Sequence, residues 1–229
     1  MLFKKLAFAF LVCGCLPHAF AQSPRYDTIR YAKEHYVERL NTFSSEFVRK
    51  GEVIFLGNSL TEYADWISLL NDSNVINRGI AGDNSFGVID RLNDVISLAP
   101  SKLFVEIGIN DISQNIPLAL IEKNIIKIIT SVHSKAPKTS IWVMSILPTN
   151  DNVKKSYPDT FGKNDQANKV NDYLKNHAKE NRFVYLDLNA RVKDLDKKLD
   201  VRYAMPDGIH LNDEGYAIWI KLLKEKKCI

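Results

Sequence analysis

Five short apolar runs rich in β-branched residues alternate with longer amphipathic stretches, and this alternation limits the fold more than any other feature of the chain. The runs occupy residues 53–56, 74–76, 103–107, 141–146 and 183–186. Runs of that length, apolar on both faces, belong to a parallel sheet covered by helices on each side. The clearest helical stretch is 117–132, where Leu118, Ile121, Ile125, Ile128, Ile129 and Val132 share one face and Pro117 suits a first turn. A second helix is predicted over 165–180, with Val170, Tyr173, Leu174 and Ala178. A third starts from the N-cap Asn212 and carries Tyr216, Trp219, Ile220 and Leu223. An extra helix is predicted before the first strand, between residues 28 and 49. Such an order predicts a three-layer α/β domain, and right-handed crossovers gather the loops after the strands along one edge.

The first 21 residues read as a secretory signal peptide. Lys4 and Lys5 are followed by an apolar stretch too short to anchor in a membrane, then by Ala19-Phe20-Ala21 before Gln22. A rival reading takes Val12-Cys13-Gly14-Cys15 as a lipoprotein box, with Cys15 lipidated. Either reading places the protein outside the cytoplasm. Removing 21 of the 229 residues leaves 208, one domain over 22–229 whose part 22–50 is an N-terminal helical extension. Loss of Lys4 and Lys5 lowers the formal charge from +4 to +2, and the remaining lysines are scattered. Neither nucleic acid nor an acidic membrane is therefore expected as a partner, nor an integral membrane segment in the mature chain. Cys228 remains as a single thiol, so no intramolecular disulfide and no cysteine-based metal site are expected.

Chemistry is concentrated just past the predicted strands. Val53-Ile54-Phe55-Leu56-Gly57-Asn58-Ser59-Leu60 ends a strand in a tight turn and points the Ser59 hydroxyl over the sheet edge where open α/β folds bind ligands. A serine hydroxyl needs a base to take its proton as it attacks. His210 is the candidate base: of five histidines, it alone has an aspartate three residues earlier, Asp207, able to orient the ring. Acyl transfer also needs donors aimed at a developing oxyanion. Asn77-Arg78-Gly79-Ile80-Ala81-Gly82-Asp83 follows the second run and offers the Gly82 amide. Gly108-Ile109-Asn110-Asp111 follows the third and offers the Asn110 side chain. Turn chemistry alone accounts for either segment taken singly. Gly162-Lys163-Asn164-Asp165 repeats the Gly-x-Asn-Asp pattern, but it follows a loop instead of a strand and is assigned to a turn leading into a helix.

As an ordered set, these segments resemble the SGNH (GDSL-type) esterase and lipase family, named for Ser, Gly, Asn and His in four blocks. Ser59, Gly82, Asn110 and His210 match the four blocks, and Asp207 matches the third triad member. The resemblance extends from Val53 to about Tyr216. It implies a flavodoxin-like α/β/α sandwich with a five-stranded parallel sheet in the order 2-1-3-4-5. It further implies hydrolysis of carboxylic esters without metal or cofactor, by a Ser59–His210–Asp207 triad with an oxyanion hole of Ser59, Gly82 and Asn110. The usual Gly-Asp-Ser-Leu is Gly57-Asn58-Ser59-Leu60 here, which keeps size and hydrogen bonding but drops a charge. The second block and compact length are most similar to the branch containing platelet-activating-factor acetylhydrolase-like proteins and carbohydrate acetylesterases. That branch implies an acetyl-type ester, with a carbohydrate as the expected alcohol. The alternatives are a lysophospholipase or thioesterase with a longer acyl pocket, and a catalytically silent flavodoxin-like binding module. Glu106 is expected to be a buried, paired structural carboxylate, and Asp83 and Asp111 to brace the two oxyanion loops. Tyr63 and Trp66, just past Ser59, are expected to pack in the core or against helices, with contact to a sugar ring as the alternative.

Overall fold

The computed structural model describes residues 32–152 and 157–229; the predicted leader over 1–21, with Cys15, lies outside them. Five parallel strands pair in the order β2-β1-β3-β4-β5: β1 (Val53–Gly57), β2 (Val75–Gly79), β3 (Lys102–Glu106), β4 (Ser140–Met144) and β5 (Val184–Leu186). Gly57 lies opposite both Gly79 and Glu106, so the C-terminal ends of β2, β1 and β3 are level. This is the predicted sheet and strand order.

Strand side chains alternate between two apolar layers, as a pleat of period two requires. Ile54, Leu56, Leu103, Val105, Ile141 and Val143 face one layer. It is completed by α4 (Ser85–Ser97), α6 (Leu118–Lys135) and α7 (Asn164–His177). Phe55, Phe104 and Met144 face the other layer, against Leu60, Trp66 and the helix α9 (Asp213–Glu225). An aromatic row crosses the strands there: Trp66 stacks on Phe55 at 3.7 Å, Phe55 on Phe104 at 4.6 Å, and Phe104 on Trp142 at 5.0 Å. Short helices α2 (Ser59–Glu62), α3 (Trp66–Leu70), α5 (Ile109–Ser113) and α8 (Asn189–Val192) lie in the connections. The helix α1 (Lys33–Ser45) supplies the extension predicted before β1.

Two elements differ from the sequence expectation. The second strand continues through Asn77 and Arg78, beyond the apolar run at 74–76. Arg78 is tolerated in a strand because its guanidinium meets Glu46 at 2.6 Å and Asp94 at 2.8 Å and lies over the Phe43 ring. The helix α4 has no counterpart in the expectation, although Val88, Leu92 and Val95 lie at helical spacing and are buried. Asn84 caps it by accepting from the Phe86 and Gly87 amides.

Candidate active site

Ser59 is the first residue of α2, directly after β1. Gly57 makes the turn sharp: a Cβ there would lie 2.2 Å from the Glu106 carbonyl oxygen and 2.3 Å from Thr61 Oγ1. Asn58 caps the helix through its Oδ1, which accepts the Leu60 amide at 2.9 Å. The hydrogen-bonding part of the usual aspartate is thus retained.

The long connection after β5 carries the histidine. His210 Nε2 lies 2.9 Å from Ser59 Oγ, and Nδ1 lies 2.6 Å from Asp207 Oδ2. Asp207 Oδ1 accepts the Ile209 and His210 amides, both at 3.0 Å. Burial raises the Asp207 pKa, but hydrogen bonds from the His210 ring and those two amides outweigh it, and the carboxyl is held below its ordinary range. The connection is tied to the loop after β4 by Asn150, whose amide donates to Gly208 O at 2.8 Å. An imidazole nitrogen at this distance from a hydroxyl is placed to take its proton.

Ser59, Gly82, Asn110 and His210 line one cavity of about 250 Å³. Gly82 adopts a left-handed φ of 80°. Asn110 Nδ2 donates one of its two hydrogens to Asp83 O at 2.8 Å, which joins the two loops. Asp83 is buried and bonded to Arg91 Nε at 2.8 Å, while Arg91 Nη2 donates to Gly57 O at 3.0 Å. Asp111, also buried, accepts from the Ser85 amide and hydroxyl. Both aspartates therefore brace the loops as expected. Burial drives their pKa values upward, opposed by Arg91 at Asp83 and by Ser85 at Asp111.

The other expectations divide. Trp66 is core. Tyr63 is not packed away: it is 59% exposed, its ring lies 5.1 Å from that of His210, and it lines the cavity. The predicted rim loop contributes Tyr157 and Thr160 to the same wall. Glu106 is buried but, against expectation, unpaired among the described residues. The Asn58 amide faces it, yet neither carboxyl oxygen nor Asn58 Nδ2 closes a hydrogen bond. Burial pushes Glu106 up to about 8. Asn164 is the first residue of α7 and clasps Thr149: Oδ1 accepts its amide at 2.8 Å and Nδ2 donates to its carbonyl at 2.9 Å. It does not line the cavity. Ala32, at the N-cap of α1, and His35 within it do, and no local motif marks them, because the contacts that place them span long separations. Among the described residues, no group of three or more His, Cys, Asp or Glu is placed to hold a metal ion, and no helix is long and apolar enough to cross a membrane.

Fold and site together are those of an α/β enzyme acting on carboxylic esters. A family model described as GDSL-like Lipase/Acylhydrolase matches residues 55–218, more than half of the chain, and the chain belongs to that family. No curated protein matches it. Among solved structures, it is similar to a protein from Streptococcus pneumonia provisionally described as a platelet activating factor. That match has 25% identity and a TM-score of 0.76, covering 86% of this chain and 94% of the other. A GDSL-like lipase from Bacteroides thetaiotaomicron is 24% identical, with a TM-score of 0.72 and coverage of 85% and 98%. An acetylxylan esterase from Geobacillus stearothermophilus shares the fold at 18% identity, with a TM-score of 0.61 and coverage of 78% and 95%.

Proposed function

We propose that the protein is an exported serine esterase that removes small, acetyl-type acyl groups from carbohydrate. The observation that carries this reading is the hydrogen-bonded series Ser59–His210–Asp207 opening into a cavity shared with Gly82 and Asn110. Ser59 Oγ attacks the ester carbonyl as His210 Nε2 takes its proton, and Asp207 stabilises the imidazolium. The amides of Ser59 and Gly82, with the Asn110 side chain, receive the negative charge on the carbonyl oxygen. His210 then returns the proton to the departing alcohol. Water, activated by the same imidazole, releases the acid from Ser59 and restores the hydroxyl.

A cavity of about 250 Å³ supports a short acyl group. Tyr63 and Tyr157 beside His210 support an alcohol with faces to stack on, such as a sugar ring. Export rests on the leader pattern over residues 1–21, and mature protein beginning at Gln22 is its check.

The reading is tested with p-nitrophenyl esters from acetate to palmitate, then with acetylated sugars. We expect kcat/KM to be greatest for acetate and to fall by hexanoate, since each added methylene meets a wall instead of gaining roughly 0.8 kcal/mol of burial. Ser59→Ala is expected to fold and to lose on the order of 10³-fold or more in kcat. A preference for octanoate or longer selects the lysophospholipase or thioesterase alternative. Folded Ser59→Ala protein with near wild-type turnover would remove Ser59 as nucleophile.

A further inference from the structure

Glu62, three residues beyond Ser59 at the end of α2, has no part in the hydrolytic scheme above. Yet α1, α2 and the loop after β2 all meet at its carboxylate. Oε2 accepts the Ala81 amide at 2.5 Å. His35 Nε2 lies 2.8 Å from Oε1 and 2.9 Å from Oε2. Arg39 Nε lies 3.3 Å from Oε1, and Arg39 also donates to Gly79 O, through Nη2 at 3.2 Å. The carboxylate side chain is only 12% exposed.

These contacts surround the loop that carries Gly82. Ile80 donates its amide to Gly57 O at 3.0 Å, and Asp83 donates its own to Ile80 O at 3.1 Å. Ala81 donates to Glu62, so the peptide planes before and after that of Gly82 are each fixed by a hydrogen bond. A planar peptide held between two fixed neighbours has little freedom to swing. The N-cap of α1 rests on the same point: a Cβ at Gly82 would lie 2.4 Å from Ala32 Cβ.

We propose that Glu62 is a positioning residue for the hydrolysis, and that α1 belongs to the site because His35 and Arg39 hold Glu62 on the Ala81 amide. The proposal rests on the reading of Gly82 as an oxyanion donor. A donor misaligned by a fraction of an ångström weakens charge stabilisation in the transition state while leaving substrate binding nearly intact. The loss then falls on kcat, not on KM.

The test uses the full chain and p-nitrophenyl acetate, with amide hydrogen exchange of the same proteins. His35→Ala is expected to lower kcat about tenfold with KM within about twofold, and Glu62→Ala to lower it further. His35→Gln, which keeps a donor in reach of the carboxylate, is expected to recover most of the loss. Exchange over residues 79–83 rises in His35→Ala, while residues 53–57 keep wild-type protection. Wild-type kcat in both alanine variants overturns the proposal, as does unchanged exchange over 79–83. A purely structural role would instead lower Tm and leave the kcat of the folded fraction intact, and that outcome also overturns it. Failure of the hydrolytic reading looks different: the wild-type protein shows no esterase activity, or Ser59→Ala retains it.

Discussion

The chain contains Gly-x-Asn-Asp twice; both copies lead from a glycine of positive φ into a helix, yet only the first reaches the cavity that holds Ser59. Gly108–Asp111 follows β3 and starts α5, while Gly162–Asp165 follows the loop after β4 and starts α7. In the first copy, Asn110 joins the Gly82 loop through Asp83 O and lines the cavity with Ser59. In the second, Asn164 clasps Thr149 and braces the loop after β4. The first aspartate is buried against Ser85, and the second is exposed. Here the element that precedes each copy separates them: β3 delivers Asn110 to the functional edge of the sheet, whereas the loop before Gly162 brings Tyr157 and Thr160 to that edge and leaves Asn164 away from it.

The asparagines separate the copies most widely. Asn110→Ala is expected to lower kcat by roughly 10²-fold as an oxyanion donor is removed. Asn164→Ala is expected to leave kcat within about twofold and to cost about 1–3 kcal/mol of stability, because Thr149 loses its partners. Equal losses of kcat at both positions would dissolve the contrast.

The glycines should differ in stability. At Gly108, φ is 132° and a Cβ would meet Ile146 Cδ1 at 2.4 Å, whereas Gly162, at φ 72°, has nothing within 4 Å. We expect Gly108→Ala to cost about 2–3 kcal/mol and Gly162→Ala about 1 kcal/mol in denaturant melts.

The aspartates give the smallest effect, and it is read against pH. Burial raises Asp111 to about 7 in the folded state, against an ordinary value of 3.8. A raised carboxyl binds its proton more tightly folded than unfolded, so its contribution to stability is present at low pH and is lost as pH climbs from about 4 to about 7. Asp111→Asn should make that part of the stability profile less steep. A wild-type slope in Asp111→Asn would mean that the carboxyl stays ionised throughout.

Much of this architecture is legible in the sequence because buried parallel strands are short, apolar and flanked by turn residues, as at Val53 to Gly57. Amphipathic spacing likewise reveals α6, where six apolar residues share a face. Legibility fails where partners lie far apart along the chain. Arg78 looks like a loop residue until Glu46 and Asp94 are seen to neutralise it inside β2. Tyr63 looks like helix packing because nothing local shows that His210, distant in sequence, comes to rest against its ring. The helix α4 is a different failure, since Asn84, Val88, Leu92 and Val95 carry its signal in plain form. An isolated charge is costly to bury, so the sequence leads one to expect a partner for Glu106. Its environment instead favours the neutral acid.

That acid makes folding a proton-uptake reaction. Between about 4.5, its ordinary value, and about 8, Glu106 is protonated in the native protein and ionised in the unfolded chain. The native state is therefore favoured by acid across that window and gains nothing further below it. Unfolding near neutral pH should discharge the proton into the solution, so the apparent calorimetric enthalpy should vary with the ionisation heat of the buffer. Glu106→Gln should reduce that buffer dependence and leave the share that Asp111 contributes. The space beneath the Asn58 turn thus acts as a small store of acidity, filled when the chain folds and emptied when it opens.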